Sequence, residues 1–148
     1  MKISLKKGWN LVSFKTTELS VIVSNKNIIE IKSGHKSWNR TVPVFFNTLT
    51  QLEFNDGYNV LVINDTIIEY NPMVITSLEY KLIKGWNLIG WQENIIFEKL
   101  QIDDRVLQIK GLDTSYDSTV PNIFNNLKEL KVGNAYWVKV NDNYNWLI

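Results

Sequence analysis

The sequence contains no cysteine and only one histidine. Without cysteine, the chain cannot form disulfides, zinc–thiolate sites or thiol nucleophiles, and its redox compartment stays undetermined. The one histidine, His35, has no acidic partner at a recognised catalytic or metal-binding spacing, so the sequence favours a turn residue. We therefore expect no cofactor and no metal.

Motifs that carry catalytic chemistry are also missing. No serine lies in a G-x-S-x-G context, and no glycine run is present that could hold a phosphate group. The acidic pairs Asp103 with Asp104 and Asp113 with Asp117 do not follow the ligand spacing of a known calcium loop. The sequence therefore predicts that the protein is not an enzyme and has no catalytic residues.

Charge of one sign does not predominate either. Sixteen basic and fifteen acidic residues leave a net charge of +1, and no block of like charges occurs. Nucleic acid and anionic membranes are therefore not expected as partners. The chain has no apolar run of the roughly 18 residues that a transmembrane helix needs, and its first residues lack the apolar stretch of a signal peptide. A soluble protein is expected.

An internal repeat is the strongest feature that the sequence does contain. KGWNLV at residues 7–12 recurs as KGWNLI at residues 84–89, an offset of 77 residues. From Leu19, which matches Phe97, the offset becomes 78 and stays constant to the end of the chain. A chance alignment would not keep one register for so long, so the chain is a duplication.

The duplication divides the chain into three parts. Residues 1–70 form copy one (unit one), residues 71–78 form a connector that contains Pro72, and residues 79–148 form copy two (unit two). The short connector and the 45% hydrophobic content favour two units packed about a pseudo-twofold axis into one compact body.

Apolar spacing predicts an α+β fold that is predominantly antiparallel β. Each unit of about 70 residues is expected to run strand, helix, hairpin, helix and closing strands. The first helix rests on Leu19 and Ile22, which are matched by Phe97 and Leu100. The second helix follows a proline and rests on apolar residues spaced by three, which are Phe46, Leu49 and Leu52 with their equivalents Phe124, Leu127 and Leu130.

Two aromatic residues at equivalent hairpin positions are candidate ligand contacts. Trp38 is followed by Asn39 and Arg40, and Tyr116 is followed by Asp117. Aromatic rings beside such polar side chains are typical of sugar-binding surfaces. The alternative is that each ring folds back over the core of its own unit.

A second aromatic group lies near the end of the chain. Trp137, Tyr144 and Trp146 form either a contact surface or the packed face of a sheet. In the strand that contains Trp137, the residues Tyr136, Val138 and Val140 alternate with Trp137, Lys139 and Asn141, which predicts that the two sets point to opposite faces. At the outward positions of the matching strand of copy one, Leu61 and Ile63 are apolar. We expect the other copy, the connector or a neighbouring subunit to cover them.

Two further tryptophans belong to the repeated KGWN motif. Trp9 and Trp86 lie in a segment of small, apolar and β-favouring residues. The sequence assigns both to the core.

The repeated motifs resemble those of a known group of duplicated repeats. GWNL at residues 85–88 with GNAYWVKV at 133–140, and more loosely GWNL at 8–11 with GYNV at 57–60, are similar to repeats in bacterial surface or secreted proteins. Similar units occur in uncharacterised proteins of marine phages and large DNA viruses. Copy one lacks the tryptophan after its tyrosine. The resemblance implies a non-enzymatic module on a surface or particle, and it supplies no catalytic residues.

These observations lead to two hypotheses of function. Abundant Asn, Ile and Lys with almost no Ala are typical of AT-rich coding DNA, which together with the resemblance favours a structural or accessory component of a viral particle, such as a capsid-decorating, fibre or tail-associated protein. The alternative is a carbohydrate- or cell-surface-binding module. The expected partners are other protein subunits of a particle, a glycan, or further copies in a homo-oligomer. The expected location is the virion or an extracellular surface, and before assembly the cytoplasm of the producing cell.

Overall fold

A computed structural model describes all 148 residues, and β-strands dominate it. Unit one contains six strands and one short α-helix. Its elements are β1 (Lys2–Leu5), β2 (Gly8–Val12), α1 (Leu19–Val23), β3 (Ile28–Ser33), β4 (Lys36–Asn39), β5 (Tyr58–Val62) and β6 (Thr66–Glu69).

Unit two contains eight strands and no α-helix. They are β7 (Glu79–Leu82), β8 (Gly85–Gly90), β9 (Ile95–Ile96), β10 (Val106–Lys110), β11 (Ser115–Asp117), β12 (Glu129–Leu130), β13 (Ala135–Val140) and β14 (Tyr144–Leu147). Three-residue 3₁₀ turns occur in both units, at Val44–Phe46, Phe97–Lys99 and Asn122–Phe124.

The strands of the two units pair in the same way. Unit one has a four-stranded sheet in the order β2-β5-β3-β4, and β1 pairs with β6. Unit two has a four-stranded sheet in the equivalent order β8-β13-β10-β11, and β7 pairs with β14. Unit two adds a small sheet of β9 and β12, and all the pairings are antiparallel. No strand lies in the connector.

The repeated KGWN motif builds the turn into the first strand of each large sheet. Gly8 and Gly85 have φ angles of 100° and 102°, which side chains with a Cβ rarely adopt. Asn10 accepts a hydrogen bond from the Lys6 backbone N–H and donates to the Lys6 carbonyl, and Asn87 makes the same two bonds in unit two. The backbone of this turn therefore requires the glycine for its conformation and the asparagine for its hydrogen bonds.

Each unit has its own hydrophobic core under its large sheet. Fifteen buried residues form the core of unit one, and twelve form that of unit two. Equivalent positions hold Phe14 in the first core and Trp91 in the second. The alternation predicted for β13 is confirmed, because Tyr136, Val138 and Val140 are buried.

The contacts between the two units are reciprocal. Val12 of β2 forms an isolated bridge with Asn134, and the equivalent residue Ile89 forms the equivalent bridge with Asp56. The Ser13 N–H donates to the Gly133 carbonyl in the same region. Exchanged contacts of this kind are what an approximate twofold axis requires.

Small residues lie where equivalent positions of the two units meet. A Cβ added to Gly90 would lie 2.6 Å from the Cβ of Ser13, its equivalent in unit one, and 2.3 Å from the Asp56 carbonyl oxygen. A Cβ added to Gly57 would lie 2.8 Å from the Cβ of its equivalent, Ala135. The two backbones approach so closely that a larger residue at these positions would overlap its counterpart.

The expected α+β class is wrong, because the protein is nearly all β. Strands take up 42% of the residues and helices 9%. The only α-helix is α1, which has five residues. The helix expected around Phe97 and Leu100 is a 3₁₀ turn, and the helices expected after Pro43 and Pro121 are 3₁₀ turns followed by extended chain. The predicted helix-containing unit is therefore replaced by strands, turns and extended segments.

The extended segments form because they are bonded to a sheet edge. The backbone N–H groups of Thr48 and Leu49 both donate to the Ser37 carbonyl on β4, and Leu127 makes the equivalent bond to Ser115 on β11. Leu49 and Leu127 are buried by this attachment. Phe46 is exposed whereas Leu49 and Leu52 are buried, so the three residues do not form one buried helical face, and short helices have little stability of their own.

None of the helices has the length and apolar character that crossing a bilayer would require.

Candidate functional site

The assignment of Trp9 and Trp86 to the core is wrong. Their side chains lie on the outer faces of the two large sheets and are 48% and 43% exposed. The reason is the motif itself, because Asn10 and Asn87 turn inward to bond the backbone of the preceding turn. Side chains alternate along a strand, so the neighbouring tryptophan must point outward.

The outer face of unit two carries a second exposed tryptophan. Trp137 on β13 is 36% exposed and lies diagonally from Trp86, which pairs with Lys139. Trp86, Trp137 and Lys110 enclose a shallow depression of about 320 Å³, named here the tryptophan face.

Two ammonium groups border the tryptophan face. Lys110 Nζ lies 5.2 Å from the centre of the Trp86 ring, and Lys139 Nζ lies 5.7 Å from it. Neither lysine forms a salt bridge. The face therefore offers aromatic surface for stacking together with unpaired positive charge.

The equivalent face of unit one lacks the second tryptophan and the unpaired lysines. Trp9 has a lysine at the matching distance, because Lys32 Nζ lies 5.3 Å from its ring centre. That lysine is paired with the Glu30 carboxylate at 3.2 Å. Asn59 replaces the second tryptophan, and Leu61 replaces the second lysine.

A separate pocket lies on the core side of unit two beside Tyr116. It has a volume of about 490 Å³ and is named here the unit-two pocket. Its apolar walls are Ile96, Phe97, Leu100, Ile102, Tyr116 and Leu127. The rest of the lining is polar or charged and consists of Glu98, Asn122, Asn125 and Lys128. Because Tyr116 pairs with the inward residue Ile109 while Lys110 points outward, the pocket and the tryptophan face lie on opposite sides of the sheet.

The matching space in unit one is filled. Leu19 and Ile22 of α1 are buried where unit two has the half-buried Phe97 and Leu100. Arg40 holds this helix in place by donating to the carbonyls of Val23, Asn25 and Ile28 at the end of α1 and just beyond it, at 2.7 to 3.0 Å. The equivalent residue in unit two is Ser118, which is too short for this role.

The predicted contact residues Trp38 and Tyr116 both pack against the core of their own unit. The Trp38 ring also lies 5.1 Å from the Arg40 guanidinium, and the Tyr116 ring lies 4.8 Å from that of Phe97. Only Tyr116 borders an open pocket. Ligand contact by these residues stays a prediction.

The predicted contacts Asn39 and Asp117 hold equivalent loops. Asn39 accepts hydrogen bonds from the backbone N–H and hydroxyl of Thr41, and Asp117 accepts the same two bonds from Thr119. These bonds, with one from Gln108, hold the pKa of the Asp117 carboxyl below its usual value.

Each loop ends in an exposed apolar tip that the sequence reading missed. Val44–Phe46 is the unit-one tip, and Phe45 is 81% exposed there. Asn122–Phe124 is the unit-two tip, in which Ile123 is 86% and Phe124 is 73% exposed. The recurrence of a proline followed by apolar residues at the 78-residue offset was the available signal.

The remaining predicted contacts are scattered. Leu61 is half-buried and Ile63 is exposed, and the connector does not cover them because it contacts Lys15 instead. Trp146 is buried, with its ring 5.6 Å from that of Trp91. Tyr144 is half-buried, with its ring 4.3 Å from the Arg105 guanidinium. Of the three aromatic residues grouped near the end of the chain, only Trp137 belongs to the tryptophan face.

A polar groove of about 490 Å³ runs between the two units along β2. Lysines 6, 128 and 131 line it, but Lys6 is paired with Asp65 and Lys131 with Glu129. No group of three acidic or histidine side chains is arranged to hold a metal ion. Because two of its three lysines are paired with carboxylates, the groove is a less favourable candidate binding site than the tryptophan face.

No protein-family model, curated protein sequence or solved structure matches the chain.

Proposed function

We propose that the protein is a non-enzymatic binding module that recognises acidic carbohydrate through the tryptophan face of unit two. The observation that carries this proposal is the depression between Trp86 and Trp137, which is bordered by the unpaired ammonium groups of Lys110 and Lys139. Flat aromatic rings stack on the apolar faces of sugar rings, and lysines attract carboxylate or sulfate groups.

The test is a glycan array that contains neutral, uronic-acid and sulfated glycans. We expect the wild-type protein to bind acidic glycans, and we expect Trp137→Ala to weaken binding at least about tenfold, which corresponds to about 1.4 kcal/mol. Trp9→Ala is the control, because it removes an exposed tryptophan from the corresponding outer face of unit one.

Two results would count against this function. A wild-type protein that binds no acidic glycan at high concentration would contradict it directly. An equal loss of binding in Trp9→Ala and Trp137→Ala would show that the depression of unit two is not the site.

A structural component of a viral particle is the second candidate function. The observation that favours it is the pair of rigid apolar tips, because exposed apolar groups of this size mark interaction surfaces. Mass spectrometry of purified particles from the source tests this candidate, and absence of the protein from the particles would exclude it.

A further inference from the structure

The unit-two tip and the unit-two pocket are neighbours on one surface. Asn122, the first residue of the tip, and Asn125, which follows the tip, both line the pocket. Ile123 and Phe124 project from the same turn into solvent. A large exposed apolar group therefore lies directly beside a cavity with apolar walls and a partly polar lining, and it does not fill this cavity.

The tip is held rigidly in its exposed position. The Asn125 side chain accepts a hydrogen bond from the Asp117 N–H at 2.9 Å and donates to the Asp117 carbonyl. The Phe124 N–H donates to the Pro121 carbonyl. Because the loop is already ordered, inserting the tip into a partner would lose little conformational entropy.

We propose that two copies of the protein form a symmetric dimer in which Phe124 of each copy enters the unit-two pocket of the other. A projection beside a cavity becomes self-complementary under a twofold axis, and twofold dimers are the commonest oligomers. The inference does not depend on carbohydrate binding, because the pocket and the tryptophan face lie on opposite sides of the sheet.

The area available fits a dimer of modest affinity. One phenylalanine buries roughly 150–250 Å², and the symmetric arrangement buries two of them together with two isoleucines and the walls of two pockets. This area is comparable to that of weak and transient interfaces, which lie below about 1,200 Å². A single insertion would bury half as much, so the symmetric arrangement is favoured over a one-sided contact.

Unit one provides an internal comparison for this interface. Its tip is at least as apolar, since Phe45 and Phe46 are both exposed. It has no cavity beside it, because Leu19 and Ile22 fill the equivalent space. The unit-one tip therefore cannot form the same self-complementary contact.

The test is sedimentation equilibrium of the full chain over a wide range of concentrations. We expect a monomer–dimer equilibrium whose dissociation constant rises at least about tenfold in Phe124→Ser. Phe45→Ser is the matched control and is expected to leave the equilibrium unchanged. A wild-type protein that stays monomeric, or that forms species larger than a dimer, would overturn the proposal.

A second pair of variants tests the pocket. Leu100→Lys places a charge in the pocket wall. Tyr116→Trp gives unit two the larger ring that unit one carries at the equivalent position, Trp38. This second variant is expected to fold even if Leu100→Lys does not. At least one of the two must weaken the dimer as Phe124→Ser does. Dimerisation that is unchanged in folded forms of both variants, or that is lost in Phe45→Ser, would contradict insertion into this pocket.

Discussion

The two units of this protein share one framework and differ in what they present to solvent. Both have the same order of strands in the large sheet, the same inward asparagine after the first glycine turn, and the same hydrogen-bonded loop before the apolar tip. Unit two alone has a second exposed tryptophan, unpaired lysines on its outer face and an open pocket beside its tip. The residues that hold the backbone of the turns and loops are therefore the same in both copies. The copies differ in exposed side chains that the backbone conformation does not require.

The two cores differ at the equivalent positions of Phe14 and Trp91. We expect Trp91→Ala to lower the free energy of unfolding by about 3–5 kcal/mol, because it leaves a large cavity. Trp91→Phe copies unit one and is expected to cost clearly less, since it also removes an indole N–H that is buried without an acceptor. Urea denaturation measures both values, and equal losses in the two variants would contradict this view of the core.

The contact between the units can be tested at Gly90. We expect Gly90→Ala to lower the free energy of unfolding by about 1–3 kcal/mol, because the new methyl group overlaps Ser13 and the Asp56 carbonyl oxygen. Adding Ser13→Gly removes the first overlap together with the hydrogen bonds that the Ser13 hydroxyl donates to the Trp91 and Asn134 carbonyls, so the loss in the double variant should be smaller than the sum of the two single losses. A neutral Gly90→Ala in urea denaturation would show that the two units do not meet as closely as described.

The smallest expected effect is a difference between the two loops in how their contribution to stability depends on pH. Asp117 has a folded-state pKa below its ordinary value of 3.8, chiefly because of hydrogen bonds from Thr119, whereas unit one uses the uncharged Asn39 for the same bonds. The stabilisation is therefore fully present above the unfolded-state pKa, and it is lost as the pH falls through the folded-state value.

We expect Asp117→Asn to weaken this loss of stability on acidification while the loop is kept, as it is in unit one. The effect is measured by thermal unfolding at a series of pH values from about 5 to about 2, the range in which carboxyl groups titrate. Hydrogen bonds from Arg105 lower the pKa of the Asp103 carboxyl to about 2. Because Asp103 is present in both proteins, its contribution to the pH dependence of stability is expected to remain in Asp117→Asn. An unchanged pH dependence in Asp117→Asn would contradict the assigned role.

The sequence predicted the repeat register, the strand alternation of β13 and the β-rich character, because each depends on local spacing. It mistook extended segments for helices, since the bonds from Thr48 and Leu49 to Ser37 join residues that are distant in the chain. The prediction that Trp9 and Trp86 lie in the core rests on their hydrophobicity. It is wrong because the asparagine that follows each tryptophan points inward, so the tryptophan points outward. The unit-two pocket could not have been predicted, since it depends on how α1 fills one unit and is missing from the other.

The most direct test of the difference between the two outer faces is a nuclear magnetic resonance titration of the six tryptophan indole N–H signals. Two probes are suitable, a galacturonate oligosaccharide for carboxylates and a heparin-derived tetrasaccharide for sulfates. We expect at least one probe to shift the signals of Trp86 and Trp137 saturably and to leave that of Trp9 unchanged. Equal shifts at Trp9 and Trp86, or no shift with either probe, would contradict it.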